Sequence, residues 1–377
     1  MPLKILIAPD KFKGTLSAPE AAEAVARGWR RARPGDALEL LPMSDGGDGF
    51  GEAMRQLLGA RAQIVKTVDA AQRPIAAKWW WDPAARTAII ESAAVIGLAM
   101  LPPGRFHPFE LDTFGLGAVL KAAAKKGARC CLLGIGGSAT NDGGFGVARA
   151  MGWRFLRRTG AELERWTDLG SLAEVLAPRS VRWFRELVVA VDVKNPLLGV
   201  RGATRVYGPQ KGIRPEEFRP AERCLRRLAL VTTRTSGRKL SHLAGAGAAG
   251  GLGFGLSAFL GARLTSGFEL FAKLARLDGR LRRCDCVITG EGAIDRSTLM
   301  GKGVSELARR ARSLGKPCIA LGGVVAASAP EWRLFSAAHA LTELTNLEDA
   351  KAQPALWLER LSERSAQTFA PKAASPP

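Results

Sequence analysis

Short apolar runs that end in glycine-rich polar loops recur along this chain, and that pattern limits its fold more than any other. In Cys130–Val147, the run Cys130–Ile135 passes into Gly136 and Gly137, then Ser138, Thr140, Asn141 and Asp142, two more glycines and a helix-like pattern from Phe145. The spacing predicts a buried strand, a tight polar turn and a helix N-terminus. Such a turn lets backbone N–H groups approach an anion closely, and the helix end adds partial positive charge. A single loop of this kind reads equally well as an ordinary capped connection, so the argument rests on recurrence.

The N-terminal part repeats the pattern. Lys4–Ala8 is β-like, and Pro9–Ser17 is a loop holding Asp10, Lys11 and Lys13. Ser17, with Glu20 three residues later, forms a capping box for a helix to about Arg33. Leu38–Leu41 predicts a second strand, Pro42–Gly51 a loop with Asp45 and Asp48, and a helix runs to about Leu58. This is the rhythm of a parallel α/β sheet. After Gly59 it changes: Ala62–Val68, Ile75–Trp81 and Thr87–Glu91 read as an antiparallel meander. Asp112–Lys126 reads as a helix, Leu187–Val193 as a buried strand, and Pro215–Val231 as a helix. Cys284–Thr289 and Cys318–Gly322 restore the α/β rhythm. The expected fold class is α/β: a Rossmann-like parallel-sheet domain with a second α/β domain inserted and glycine-rich loops at the interdomain cleft. Residues 1–65 and 280–377 would form the first domain and 66–279 the second. The tail Ala370–Pro377 is expected to be disordered.

Composition narrows the function. The chain has 377 residues, enough for two cores, and 47% apolar with 24% charged residues is a globular profile. A net charge of +20 raises nucleic acid as a partner, but the arginine pairs are scattered and no basic run interleaves with aromatics. The expectation is no nucleic acid; the charge suits steering of small anions. Six cysteines without a C-x-x-C point to reduced thiols and a cytoplasmic setting. Three distant histidines argue against a His-based zinc site or a Ser/His/Asp triad. Ala244–Ala262 is uncharged but mostly glycine and alanine, so no membrane span is expected.

Gly245, Gly247 and Gly250 satisfy the dinucleotide fingerprint, yet no apolar strand precedes them. They read as tight backbone contacts or a phosphate loop, and a NAD(P)-dependent hydroxy-acid oxidoreductase is the alternative of a different class. More telling are the carboxylates and lysines on strand-end loops: Asp10 with Lys13, Asp45 with Asp48, Asp142, Asp192 with Lys194, Lys211, and Glu291 with Asp295 and Lys302. In open α/β sheets ligands bind beyond the carboxyl ends of strands. Phosphoryl transfer uses these residue types: cations and N–H groups for phosphate, carboxylates for Mg²⁺ and for the attacking hydroxyl.

IAPDKFKGTLSA (from Ile7), PMSDGGDG (from Pro42), IGGSATNDGG (from Ile135), VDVKNPLLG with GPQKG (from Val191), AGAGAAGGLGFGL (from Ala244) and ITGEGAID, ST and GKG (from Ile288) together cover nearly the whole chain. In them the chain resembles the glycerate kinase family, in its bacterial-type glycerate 2-kinase branch. The resemblance implies ATP-dependent phosphorylation of D-glycerate to 2-phospho-D-glycerate and ADP, with Mg²⁺. Glycerate 3-kinase regiochemistry or a related hydroxy acid is the alternative within that class. The partners are then D-glycerate and ATP, with a homodimer left open. Under this reading Asp192 is the first candidate base and Asp45 the second. Lys13 and Arg105 are the candidates for a cation at the glycerate carboxylate, and Lys211 and Lys302 for the transferred phosphoryl group. Gly136, Gly137, Ser138, Asn141, Asp142, Asn195 and Gly290 would bind substrate or phosphate, and Glu291 and Asp295 the metal. Departures from the family pattern include Phe114 and Leu116 in DTFGLGA, where the family has Tyr and Thr in a TTYGTGE-like segment.

Overall fold

The computed structural model describes residues 2–44, 46–47, 49–179, 182–299, 303–326 and 334–370. The chain divides into two compact units, Met1–Asp45 with Phe268–Pro377, and Gly46–Gly267. Asp45, Asp48, Lys302 and the tail from residue 371 lie outside the described residues.

The first unit is built on a five-stranded sheet. Its order is Ala37–Leu40, Lys4–Ile7, Cys286–Ile294, Cys318–Val325 and Ala337–Ala340, every neighbour pair parallel. The inner strands are near-continuous apolar runs because helices cover both faces of such sheets. Ile5, Ile7, Cys286, Ile288 and Leu321 enter one core with Val25, Trp29 and Leu358. Helix Ala18–Ala32 begins at the capping box: Glu20 N–H is capped by Ser17, and the Glu20 carboxylate accepts from Ser17 N–H at 2.8 Å. It packs on helix Pro354–Thr368, whose Ser362 hydroxyl donates to the Val25 carbonyl at 2.7 Å. Chain order reverses between Lys4–Ile7 and Cys286–Ile294, a topological switch point.

The second unit carries a six-stranded mixed sheet. Arg61–Val68 and Pro74–Asp82 pair antiparallel, as do Pro74–Asp82 and Thr87–Glu91. Thr87–Glu91, Cys130–Gly134, Glu186–Val191 and Arg263–Ser266 then follow side by side in parallel. The meander and the strand of the opening loop therefore share one sheet. Residues 46–65 belong to this unit: helix Phe50–Leu58 packs against Pro74–Asp82 and Thr87–Glu91, and Glu91 accepts from Gly49 and Gly51 N–H at its N-terminus, at 2.8 and 2.9 Å. Ile90, Leu116, Leu133 and Val189 share the sheet's core. A second cluster gathers Phe145, Phe155, Phe254 and Phe259, with ring centroids 4.8 to 6.3 Å apart.

One element differs from expectation, and one open reading narrows. The helix before Cys130 spans Leu116–Lys125, because Asp112–Gly115 forms a turn held by its own side chains. The Gly245–Gly250 fingerprint is a contact surface for other backbone. A Cβ at Gly250 (φ +68°) would lie 1.9 Å from the Thr140 carbonyl oxygen, and one at Gly247 would lie 2.2 Å from that of Pro196. Those glycines let Ala248–Leu260 lie directly on the Thr140–Gly144 turn, and Gly143 N–H donates to the Gly250 carbonyl at 3.0 Å.

Candidate functional site

In the second unit, strand Cys130–Gly134 runs into Ile135 and the glycine pair. Gly137 is exposed with φ +71°, and Ser138 is buried and bridges to Gly97. Leu98 N–H to the Gly137 carbonyl (2.9 Å) and Ala139 N–H to that of Ile96 (2.8 Å) tie the turn to the neighbouring segment. Into this turn comes Lys211, from the 3₁₀ turn Pro209–Lys211 that Gly212 closes at φ +99°. Lys211 is 8% exposed. Its Nζ donates to Ser138 Oγ at 3.1 Å and to the Thr140 carbonyl at 2.7 Å. Burial pushes the amine down to about 7, and the nearby Asp142 charge partly opposes that. An ammonium has three donors, so one remains beyond these two bonds.

Asp142 is fully buried and anchors the turn. Its Oδ2 accepts from the Thr113 hydroxyl (2.7 Å), Thr113 N–H (3.0 Å) and Gly146 N–H (2.9 Å), and its Oδ1 from Gly144 N–H (3.0 Å). Burial raises its carboxyl, and these donors pull the other way. Asp112 is raised to about 6, by burial first and by the Asp142 charge second. The polar groups of Asn141, Asp142 and Asn195 have these partners within the protein, while the buried Asn141 Oδ1 accepts no hydrogen bond from the described residues. Asp142 spends both oxygens inside the protein. Asn141 is fully buried with its amide on Thr204 Oγ1 (3.1 Å). Asn195 accepts from the Tyr207 hydroxyl at 2.6 Å and donates to the Arg201 carbonyl at 2.7 Å, which shapes its own loop.

Other expected residues fall in distinct places. Asp192 is exposed just beyond strand Glu186–Val191. Arg105 is exposed, with its guanidinium 5.6 Å from the Phe106 ring centroid. In the first unit, Lys13 is exposed, while Asp10, just beyond strand Lys4–Ile7, and Glu291, within strand Cys286–Ile294, are buried beside the switch point. Asp10 N–H donates to the Gly290 carbonyl at 2.8 Å. Gly290 itself serves a close strand contact, since a Cβ there would lie 2.0 Å from the Leu321 carbonyl oxygen. Asp295 is half-buried, and its N–H donates to Thr298 Oγ1 at 3.1 Å. Among the described residues, no group of three or more His, Cys, Asp and Glu side chains is placed to hold a metal. Glu291 and Asp295 offer the hard oxygens that Mg²⁺ takes alongside phosphate and water, and Mg²⁺ sites of one or two carboxylates are common.

The residue that sequence reasoning missed is Thr113. It joins two turns 29 positions apart, and its only signal was its place inside DTFGLGA. The unusual positions of that segment divide: Leu116 is fully buried in the core, while Phe114 is exposed, with its ring centroid 5.9 Å from the Arg149 guanidinium.

Residues 5–370 match the Glycerate kinase family. The chain is 38% identical to a glycerate kinase of Halalkalibacterium halodurans, over 85% of each chain. It is 37% identical to the glycerate kinase of Bacillus subtilis, over 86% of this chain and 85% of that one. It is 36% identical to the glycerate 2-kinase of Escherichia coli, over 85% of each. A crystal structure assigned to glycerate kinase 2 from Salmonella typhimurium LT2 superimposes with a TM-score of 0.85 at 34% identity, covering 98% of both chains. A mixed α/β fold with strand-end glycine loops and a buried lysine thus belongs to a kinase. The chain is a member of the glycerate kinase family. No helix among the described residues is long and apolar enough to cross a membrane.

Proposed function

We propose that the protein transfers the γ-phosphoryl group of ATP to D-glycerate, giving 2-phospho-D-glycerate and ADP. The observation that carries this reading is the buried Lys211 ammonium, whose hydrogen bonds among the described residues go to two neutral oxygens. A buried cation so held is already oriented toward an anion, and its field is stronger there than in water. The name of the Escherichia coli relative, glycerate 2-kinase, supports the position phosphorylated.

In the proposed reaction the substrate hydroxyl oxygen bonds to the γ-phosphorus as the bond to the β–γ bridging oxygen breaks. The hydroxyl proton passes to a carboxylate, and Asp192 is assigned that role because it stands exposed at a strand end. Lys211 stabilises charge on the transferred group. A cation is assigned to the glycerate carboxylate, with Lys13 or Arg105, both exposed, as the candidates. Glu291 and Asp295 would hold Mg²⁺, which when bound neutralises phosphate charge. Free thiols at all six cysteines fit a cytoplasmic setting.

The test is ADP release from ATP–Mg²⁺ over a panel of small hydroxy acids. D-glycerate is expected to be the preferred acceptor; equal or better turnover of another acid would displace it. An Asp192→Ala protein that folds and keeps near-full turnover would remove Asp192 from the role of base.

A further inference from the structure

The Thr113 hydroxyl is at the centre of a fully buried network. It donates to Asp142 Oδ2 at 2.7 Å and accepts from Val147 N–H at 2.9 Å, while Thr113 N–H reaches the same carboxylate oxygen at 3.0 Å. Thr113 and Asp142 are both fully buried. Asp142 lies two residues beyond Thr140, whose carbonyl accepts from Lys211 Nζ at 2.7 Å, and at that place on the turn its charge favours the ammonium. Asp112 faces Asp142 from the Thr113 turn, and Arg149 in turn faces Asp112. Lys211 then bonds Ser138 and Thr140, on the same turn that Asp142 ends.

We propose that Thr113 is a positioning residue for phosphoryl transfer: its hydroxyl holds Asp142 as the buried counter-charge of Lys211, and Lys211 holds the Ser138–Thr140 turn. The proposal rests on the role given to Lys211 above. Thr113 touches no substrate in this account and acts through two other residues. Without its hydroxyl, Asp142 loses a donor and its ionised form is less favoured. Lys211 then loses part of its counter-charge and gives up its proton at lower pH.

The experiment uses the full chain with ¹³C-labelled lysine, titrated without substrate, in the wild type, T113V and T113S. The Lys211 signal is assigned by its loss in K211M. Profiles of kcat/KM against pH with ATP and D-glycerate are measured alongside. In T113V the Lys211 midpoint is expected to fall by about 0.5–1 pH unit, a shift typical of a weakened charge partner, with the alkaline limb of kcat/KM moving the same way. T113S is expected to restore both. An unchanged Lys211 midpoint in T113V, or a T113S protein that behaves like T113V, overturns the proposal. Should T113V not fold, D142N is titrated in its place: a lower midpoint supports the network and an unchanged one overturns it. A Lys211 shift as expected, in a protein that does not phosphorylate D-glycerate, supports the network and contradicts the substrate assignment.

Discussion

Lys211 Nζ donates to Ser138 Oγ at 3.1 Å, which leaves the Ser138 hydroxyl proton free to point elsewhere. A buried cation and a polarised hydroxyl therefore sit together on the turn after Cys130–Gly134. If that pair serves phosphoryl transfer, Lys211→Met lowers kcat/KM by roughly 10²–10³-fold, the range for loss of one preorganised electrostatic group. Fold stability is expected to hold, because an apolar chain replaces a buried charge. Steady-state kinetics and urea unfolding on the same sample separate the two.

Asp112 gives a pH dependence with a definite sign. Its carboxyl is raised from 3.8 to about 6, so the folded protein binds more protons than the unfolded chain between those values. Its contribution to stability is full below about 4 and is lost as pH rises through about 6. In Asp112→Asn that loss disappears, and the asparagine oxygen can keep the acceptor position for Phe114 N–H and Gln72. Urea midpoints at pH 4, 6 and 8 check this: the mutant is expected to show a smaller fall across the series than the wild type.

Leu116→Thr restores the residue type of the family pattern but buries a hydroxyl where Leu116 is now fully buried. The expected cost is about 1–3 kcal/mol of stability with KM unchanged. A raised KM with unaltered stability would show that the position contacts substrate instead of the core.

The Gly245–Gly250 segment is occupied by protein backbone, so NAD(P)H is expected to leave Tm unchanged while ATP–Mg²⁺ raises it. Gly250→Ala is expected to destabilise by at least about 2 kcal/mol, since its Cβ would meet the Thr140 carbonyl. Thermal shifts with each nucleotide, and unfolding of the variant, measure both effects.

What the sequence made legible follows burial. Runs such as Ile5–Ile7, Cys130–Gly134 and Cys286–Ile288 are apolar on both faces, and each proved part of a parallel strand. Arg263–Ser266 escaped notice because an edge strand of four residues, RLTS, has neither alternation nor an apolar run. The fingerprint glycines were ambiguous because glycine is needed equally for a close backbone contact and for a close ligand. Lys211 was legible as a lysine in a glycine turn. The burial that lowers its proton affinity was not, because that depends on Ser138 and Thr140, 73 and 71 positions away. The internal partners of Asp142 and Asn195 were not legible either: polar residues on a strand-end loop do not reveal, in one dimension, which protein groups they bond.

The most direct measurement is phosphorus NMR of the product formed from ATP, Mg²⁺ and D-glycerate by the wild-type protein and by Lys211→Met. The account predicts 2-phospho-D-glycerate from the wild type and almost none from the variant. A 3-phosphoglycerate signal, no phosphorylated glycerate, or an undiminished yield from Lys211→Met would contradict it.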